Sequence, residues 1–107
     1  MKKIILLISV FFTLFGTSSA KEVNIFSARH YDSDVQLYKK FTGKTGIKVN
    51  VLSGKDKALQ KRIIEEGEDC VGDLYITADA GRLGAFQEKG AFQRANSKAL
   101  KKIIPSN

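Results

Sequence analysis

Three short runs rich in β-branched residues recur along residues 21–107, and each is followed by apolar residues at helical spacing. The runs are Val23-Asn24-Ile25-Phe26-Ser27, Ile47-Lys48-Val49-Asn50-Val51-Leu52 and Asp73-Leu74-Tyr75-Ile76-Thr77, and each predicts a strand. Ser33 to Lys44 predicts a helix with Val35, Leu37, Tyr38 and Phe41 on one apolar face and Ser33-x-x-Gln36 as a capping box. Asp56 to Glu66 predicts a second, with Ala58, Leu59 and Ile63 turned inward and Gly67 as its stop. A third helix is expected from Asp79 to Lys89, with Leu83 and Phe86 apolar and Gly90 at its end, and a fourth over Ser97 to Ile104. Strand and helix in alternation imply parallel pairing through right-handed crossovers, so the chain starts a doubly wound parallel α/β sheet. Such sheets take ligands at the carboxyl ends of their strands.

The 20 residues that precede this pattern have a different order of properties. Lys2 and Lys3 are followed by an apolar run, Ile4 to Phe15, interrupted only by Ser9 and Thr13, and then by Gly16, Thr17, Ser18, Ser19 and Ala20. A positive start, an apolar middle and small residues at the end mark a secretory signal peptide cut after Ala20. The apolar run falls well short of the ~20 residues that cross a bilayer, and no cysteine follows it to take a lipid anchor. Export to the periplasm as a soluble protein with no membrane span after cleavage is the expectation. The remaining 87 residues hold one domain at most.

Loss of Lys2 and Lys3 lowers the formal charge from +7 to +5, with 16 basic against 11 acidic side chains. The basic residues are scattered and are not interleaved with aromatics, so nothing resembles a stacking platform for nucleic acid. Cys70 is the only cysteine, which excludes an intramolecular disulfide. Its neighbours Glu68 and Asp69 disfavour a thiolate and the only histidine is 40 positions away, so Cys70 reads as an incidental small residue. No serine with a base partner, no suggestive pair of acids and no Cys-His arrangement marks an enzyme.

Three loops fall at the expected ligand edge. The first, Ser27-Ala28-Arg29-His30-Tyr31-Asp32, brings the only histidine, a tyrosine and an arginine together, where a plain turn would favour Gly, Asn, Asp or Pro. A phenolate is a hard anionic donor suited to Fe(III), and imidazole accepts iron among other transition metals. The competing reading is that His30 and Tyr31 only pack over the start of a helix. The second loop, Ser53-Gly54-Lys55-Asp56, leads into a helix N-terminus that could hold an anion, with Gly54 allowing close approach, but it lacks the glycine spacing of a P-loop. The third, Thr77-Ala78-Asp79-Ala80-Gly81-Arg82, offers the carboxylate of Asp79, which helix capping explains equally well. Arg29, Gly54, Lys55 and Asp79 are weak candidates for an anion site.

The sequence resembles the periplasmic iron(III)-binding proteins of ABC transporters, the bacterial transferrins. The stretches that carry the resemblance are Val23 to Tyr31, Phe41-Thr42-Gly43-Lys44-Thr45-Gly46-Ile47-Lys48-Val49-Asn50-Val51, and Gly72-Asp73-Leu74 through Thr77-Ala78-Asp79-Ala80-Gly81-Arg82-Leu83. The second is shared widely among substrate-binding proteins. The Ser-Ala-Arg-His-Tyr and Asp-Ala-Gly-Arg-Leu segments are more specific to the iron-binding branch. The resemblance implies a two-lobed, hinged fold that closes on ferric iron, with Tyr31 as a ligand from the first lobe and His30 as a second ligand or near neighbour. A synergistic anion and a permease in the inner membrane are implied with it, and a monomer is expected.

Some branches add a carboxylate after the third strand. Here Ala78 stands at that place with Asp79 one step along, which implies the tyrosine-rich type of site. Family members run to roughly 300 residues, as two lobes of ordinary domain size require. Residues 21–107 therefore correspond to part of the N-terminal lobe, and on their own they are expected to leave a sheet edge open and to bind iron weakly or not at all. The same fold could instead serve another solute, such as an organic anion or phosphate held by Arg29 and the helix N-termini.

Overall fold

In the computed structural model, which describes residues 20–105, the central strand β1 (Glu22–Ser27) pairs in parallel with β2 (Lys48–Ser53) on one side and with β3 (Leu74–Ile76) on the other. The leader expected over residues 1–20 lies, apart from Ala20, outside the described residues. Register runs from Glu22 opposite Lys48 to Ser27 opposite Ser53, and from Ile25 opposite Leu74 to Ser27 opposite Ile76. Helix α1 (Asp32–Thr45) connects β1 to β2, and α2 (Asp56–Glu66) with a short 3-10 turn (Gly67–Asp69) connects β2 to β3. The first step moves one way across the sheet and the second moves back over β1. Right-handed connections in opposite directions place α1 and α2 on opposite faces, which is double winding. Helices α3 (Ala80–Gln87) and α4 (Lys98–Ile103) follow β3.

Strand alternation divides the side chains between the two faces. Phe26 and Tyr75 are opposite one another in register and face α2: the Arg62 guanidinium lies 5.2 Å from the Phe26 ring centre, and Gln60 Nε2 donates to Tyr75 Oη. Phe86 of α3 is fully buried here, edge-on to Tyr75 at 5.4 Å and to Phe92 at 5.1 Å. Leu59 of α2 completes the buried set on this face. A Cβ at Gly72 would meet the Phe26 ring at 3.2 Å, so glycine there lets the backbone close over the ring.

The opposite face is covered less completely. Ile25 is buried, yet its neighbours in register, Val51 and Leu74, are 43% and 53% exposed. Helix α1 has no buried residue: Val35, Leu37 and Phe41 are all exposed, and only Asp34, Tyr38 and Thr42, one turn apart, are partly covered. The apolar face expected from Val35, Leu37, Tyr38 and Phe41 is thus corrected to a polar stripe centred on Tyr38. The expected capping box at Ser33 is also corrected. Tyr31 is the N-cap, its carbonyl accepts from Asp34 N, and Ser33 already lies in the first helical turn, too far along to cap it. Helix α2 matches its expected bounds and Gly67 caps it, although Ala58 is exposed and the inward row is Asp56, Leu59, Gln60 and Ile63. Helix α3 is shorter than expected at both ends, and Cys70 is half-buried beside the 3-10 turn. Among the described residues, β2 and β3 each keep one edge unpaired.

One polar cluster ties the helices to the sheet. The Asp56 carboxylate, at the first position of α2, accepts from the Tyr75 hydroxyl, from Thr77 Oγ1 at 3.1 Å and from Arg82 Nη1 at 3.0 Å. The Tyr75 hydrogen bond, helped by those from Arg82 and Thr77, holds the Asp56 carboxyl below its ordinary range against the opposing effect of burial. Burial and the nearby Asp56 push the Tyr75 phenol up. Because the folded carboxyl titrates below its unfolded value, its contribution to stability is complete above the unfolded range and is lost as pH falls toward the folded value. Asp56→Asn should therefore cost about 2 kcal/mol at neutral pH, since hydrogen bonds to a charged acceptor are lost. Urea unfolding of wild type and variant at neutral and acidic pH checks this, and the gap between them should narrow in acid.

Candidate functional site

The carboxyl edge is built on Ser27, where β1 is still bonded on both sides. Ser27 O accepts from Gly54 N at 3.1 Å on the β2 side, and Ala28 N donates to Ile76 O at 2.8 Å on the β3 side. The Ser27 side chain is buried. Its Oγ accepts from Arg29 N at 3.1 Å and donates to Arg29 O at 3.2 Å, so one hydroxyl satisfies both backbone groups of the second residue of the loop. Nothing in the sequence marks Ser27 for this, since a serine after a strand usually reads as a turn residue.

From that base the chain turns through Arg29, His30 and Tyr31 into α1. Arg29 folds back: Nη2 reaches Asp34 Oδ1 at 3.0 Å and the guanidinium lies 4.9 Å from the centre of the Tyr31 ring. His30 and Tyr31 are both exposed, Tyr31 by 55%. No side-chain hydrogen bond of either is formed among the described residues. Both border an open groove of about 950 Å³ that runs along α1 and β2, past Tyr38, Thr42, Val49 and Val51. Tyr38, beneath the loop, has its phenol pushed up by burial and by the nearby Asp34, with Arg29 acting in the opposite direction. Among the described residues no three His, Cys, Asp or Glu side chains converge as a metal cluster. A metal at this edge would thus need phenol oxygen as well as imidazole.

Three of the four anion candidates are occupied by other work. Gly54 N is spent on Ser27 O, and a Cβ at Gly54 would press on the Leu59 side chain at 3.2 Å, so this glycine serves packing. Lys55 is the N-cap of α2 and makes no side-chain capping bond. Asp79 caps α3, accepting from Arg82 N at 3.1 Å. Arg82 itself pairs with Asp56 and, at 3.6 Å, with Asp79. Arg29 is held by Asp34. The Asp56, Tyr75, Thr77 and Arg82 network was not legible from spacing, because its members are brought together only by the sheet order.

No protein-family model matches the chain. Residues of the chain are 44% identical to Iron uptake protein A1 of Synechocystis sp. over 85 residues, which is 79% of this chain and 24% of that protein. Among solved structures, a ferric binding protein from Campylobacter jejuni superposes with a TM-score of 0.74 at 43% identity over 78% of this chain and 27% of that one. A Trichodesmium protein solved in complex with iron and citrate ligands superposes with a TM-score of 0.70 at 46% identity, over 76% and 26%. The chain spans about a quarter of the length of the curated relatives it matches. Its parallel three-stranded α/β arrangement matches the N-terminal part of the two-lobed periplasmic binding-protein fold.

Removing the Ser27 hydroxyl should leave Arg29 N–H and C=O without their partner. Ser27→Ala is expected to destabilise the chain by about 1 kcal/mol and to speed amide exchange at Arg29 ahead of the rest of the loop. Hydrogen-exchange NMR beside a denaturation curve measures both.

Proposed function

We propose that this relative of the iron uptake and ferric binding proteins is the N-terminal part of a carrier that takes up ferric iron in the periplasm and delivers it to an ABC permease of the inner membrane. Residues 1–20 act as the export signal, and residues 21–107 form the first portion of lobe 1. Tyr31 is an iron ligand and His30 a second. The observation that carries this reading is the placement of that pair: a phenol and an imidazole, adjacent and exposed, on a loop fixed at the carboxyl edge of a parallel sheet and opening on a groove.

The chemistry follows from the donors. Fe(III) is a hard cation and prefers an anionic oxygen, so Tyr31 binds as phenolate and gives up its proton to do so. His30 adds a neutral nitrogen donor. Both groups are unencumbered by hydrogen bonds among the described residues, so binding does not first break a structural contact. The Ser27 hydroxyl in this loop is spent on the Arg29 backbone and is not paired with His30, and the reading is of a carrier, not an enzyme. No helix among the described residues is long and apolar enough to cross a membrane.

Two donors fill a minority of the iron coordination sphere. Ferric citrate is therefore expected to bind weakly to residues 21–107, whereas ferric nitrilotriacetate, a chelate that leaves adjacent positions open, matches a two-donor edge. Titration of the purified chain with ferric nitrilotriacetate should raise a visible phenolate-to-iron charge-transfer band. Tyr31→Phe should abolish the band, and His30→Ala should weaken binding about tenfold, equivalent to ~1.4 kcal/mol. A wild-type chain that shows no band, or a band that survives Tyr31→Phe, overturns the assignment.

A further inference from the structure

An exposed tyrosine at a helix N-cap would ordinarily sample several rotamers, and holding one has an entropic cost of its own. The contacts around Tyr31 are arranged against that freedom. Arg29 lies two positions earlier in the same loop, with its backbone fixed at both polar groups by the buried Ser27 hydroxyl. Its guanidinium is anchored at the far end by Asp34 of the first turn of α1, and the plane so held lies 4.9 Å from the Tyr31 ring centre. The Asp34 side chain is only 16% exposed, so the anchor is largely shielded from solvent. Arg29 Nε and Asp34 Oδ2 are buried and have no hydrogen-bond partner among the described residues. The Nη2 to Oδ1 contact is therefore the single polar bond that sets where the guanidinium sits.

We propose that Arg29, anchored by Asp34, is the positioning residue for Tyr31, fixing the ring so that its phenol oxygen is presented at the carboxyl edge before any metal arrives. The proposal rests on the reading of Tyr31 as the iron ligand, and it adds a role for two side chains that do not touch iron. The physical case is planarity. A guanidinium is flat, carries its charge across the plane and stacks on an aromatic face, whereas a lysine ammonium is a point charge on a flexible stem. The Asp34 side chain acts on Tyr31 only through Arg29. Ser27 supplies the fixed base from which the arginine turns back. A ring ordered in advance reduces what must be immobilised on binding, which is how preorganisation raises affinity.

The test separates ring order from iron binding. The iron-free chain, with carbon-13 in its tyrosine rings, is compared by NMR relaxation as wild type, Arg29→Gln, Arg29→Lys, Asp34→Ala and the Arg29→Gln/Asp34→Ala double variant. Tyr38 and Tyr75 serve as internal references for folding. The Tyr31 ring should be ordered in wild type and gain motion in all four variants, while the Tyr75 ring stays as it was. Arg29→Lys should fail to restore order although it keeps the charge. The double variant should be no worse than Arg29→Gln alone, as expected when one residue acts through the other. A Tyr31 ring equally mobile in wild type and Arg29→Gln, or restored by lysine, overturns the proposal whether or not iron binds.

The second arm repeats the ferric nitrilotriacetate titration. Arg29→Gln and Asp34→Ala should each weaken binding by about threefold to fivefold and shift the charge-transfer band, the range expected for loss of one exposed cation–π contact. Variants with a looser ring but unchanged affinity and band would overturn the positioning role. Absence of the band from wild type itself would sink the iron assignment of Tyr31, and with it the functional half of the proposal, while leaving the ring-order result intact.

Discussion

Everything at the carboxyl edge depends on β1 having a strand on each side. A parallel strand flanked by two others is the most constrained backbone in a small sheet, and here it is the first strand of the pattern that holds that place. The consequence is local and specific. Ile25, Phe26 and Ser27, the last three residues of β1, are the buried ones, and the strand is still bonded to both neighbours where it ends. The loop that follows is therefore anchored at a fixed point. Its first polar contacts are made by the buried Ser27 hydroxyl, which bonds both backbone groups of Arg29. Had β1 been an edge strand, the same residues would have hung from a fraying end.

The distribution of charge at this edge narrows what the loops can do. Two of the cations at this edge are already paired: Arg29 with Asp34, and Arg82 with Asp56 and Asp79. The N-terminus of α3 is capped by Asp79, whereas those of α1 and α2 carry no side-chain cap. Tyr31 and His30 stand apart from this pairing. The edge thus places a phenol and an imidazole side by side and exposed, outside these ion pairs.

The order of elements was legible in the sequence because most elements carried a signal of their own. β-Branched runs marked strands within a residue of their observed ends, Gly67 marked the end of α2, and Asp79 and Ser97 capped the next two helices. The inward face of α1 was not legible. Its apolar residues are spread around the helix, so periodicity alone chose Val35 and Phe41, while the sheet meets the row through Asp34, Tyr38 and Thr42. The site was legible in part, for a related reason. His30 and Tyr31 stood out by residue type at a strand end, whereas the Ser27 bonds and the Asp56 network exist only once strand order is known, since Asp56 and Tyr75 are 19 positions apart.

The two faces of the sheet carry one further consequence. On the α2 side, Phe26, Leu59 and Phe86 close a compact core with Tyr75 and Phe92, and the polar network above it is satisfied. On the α1 side, Val51, Leu74, Val35 and Leu37 remain exposed, and Val35 and Val51 border the groove. A lone α/β layer that buries so little on one face gains less from hydrophobic burial than its length would allow. The aligned residues make up only about a quarter of the curated relatives. The Ser27, Arg29 and Asp34 side chains that form the contacts around Tyr31 all lie within residues 27–34, on a strand end bonded to both neighbours.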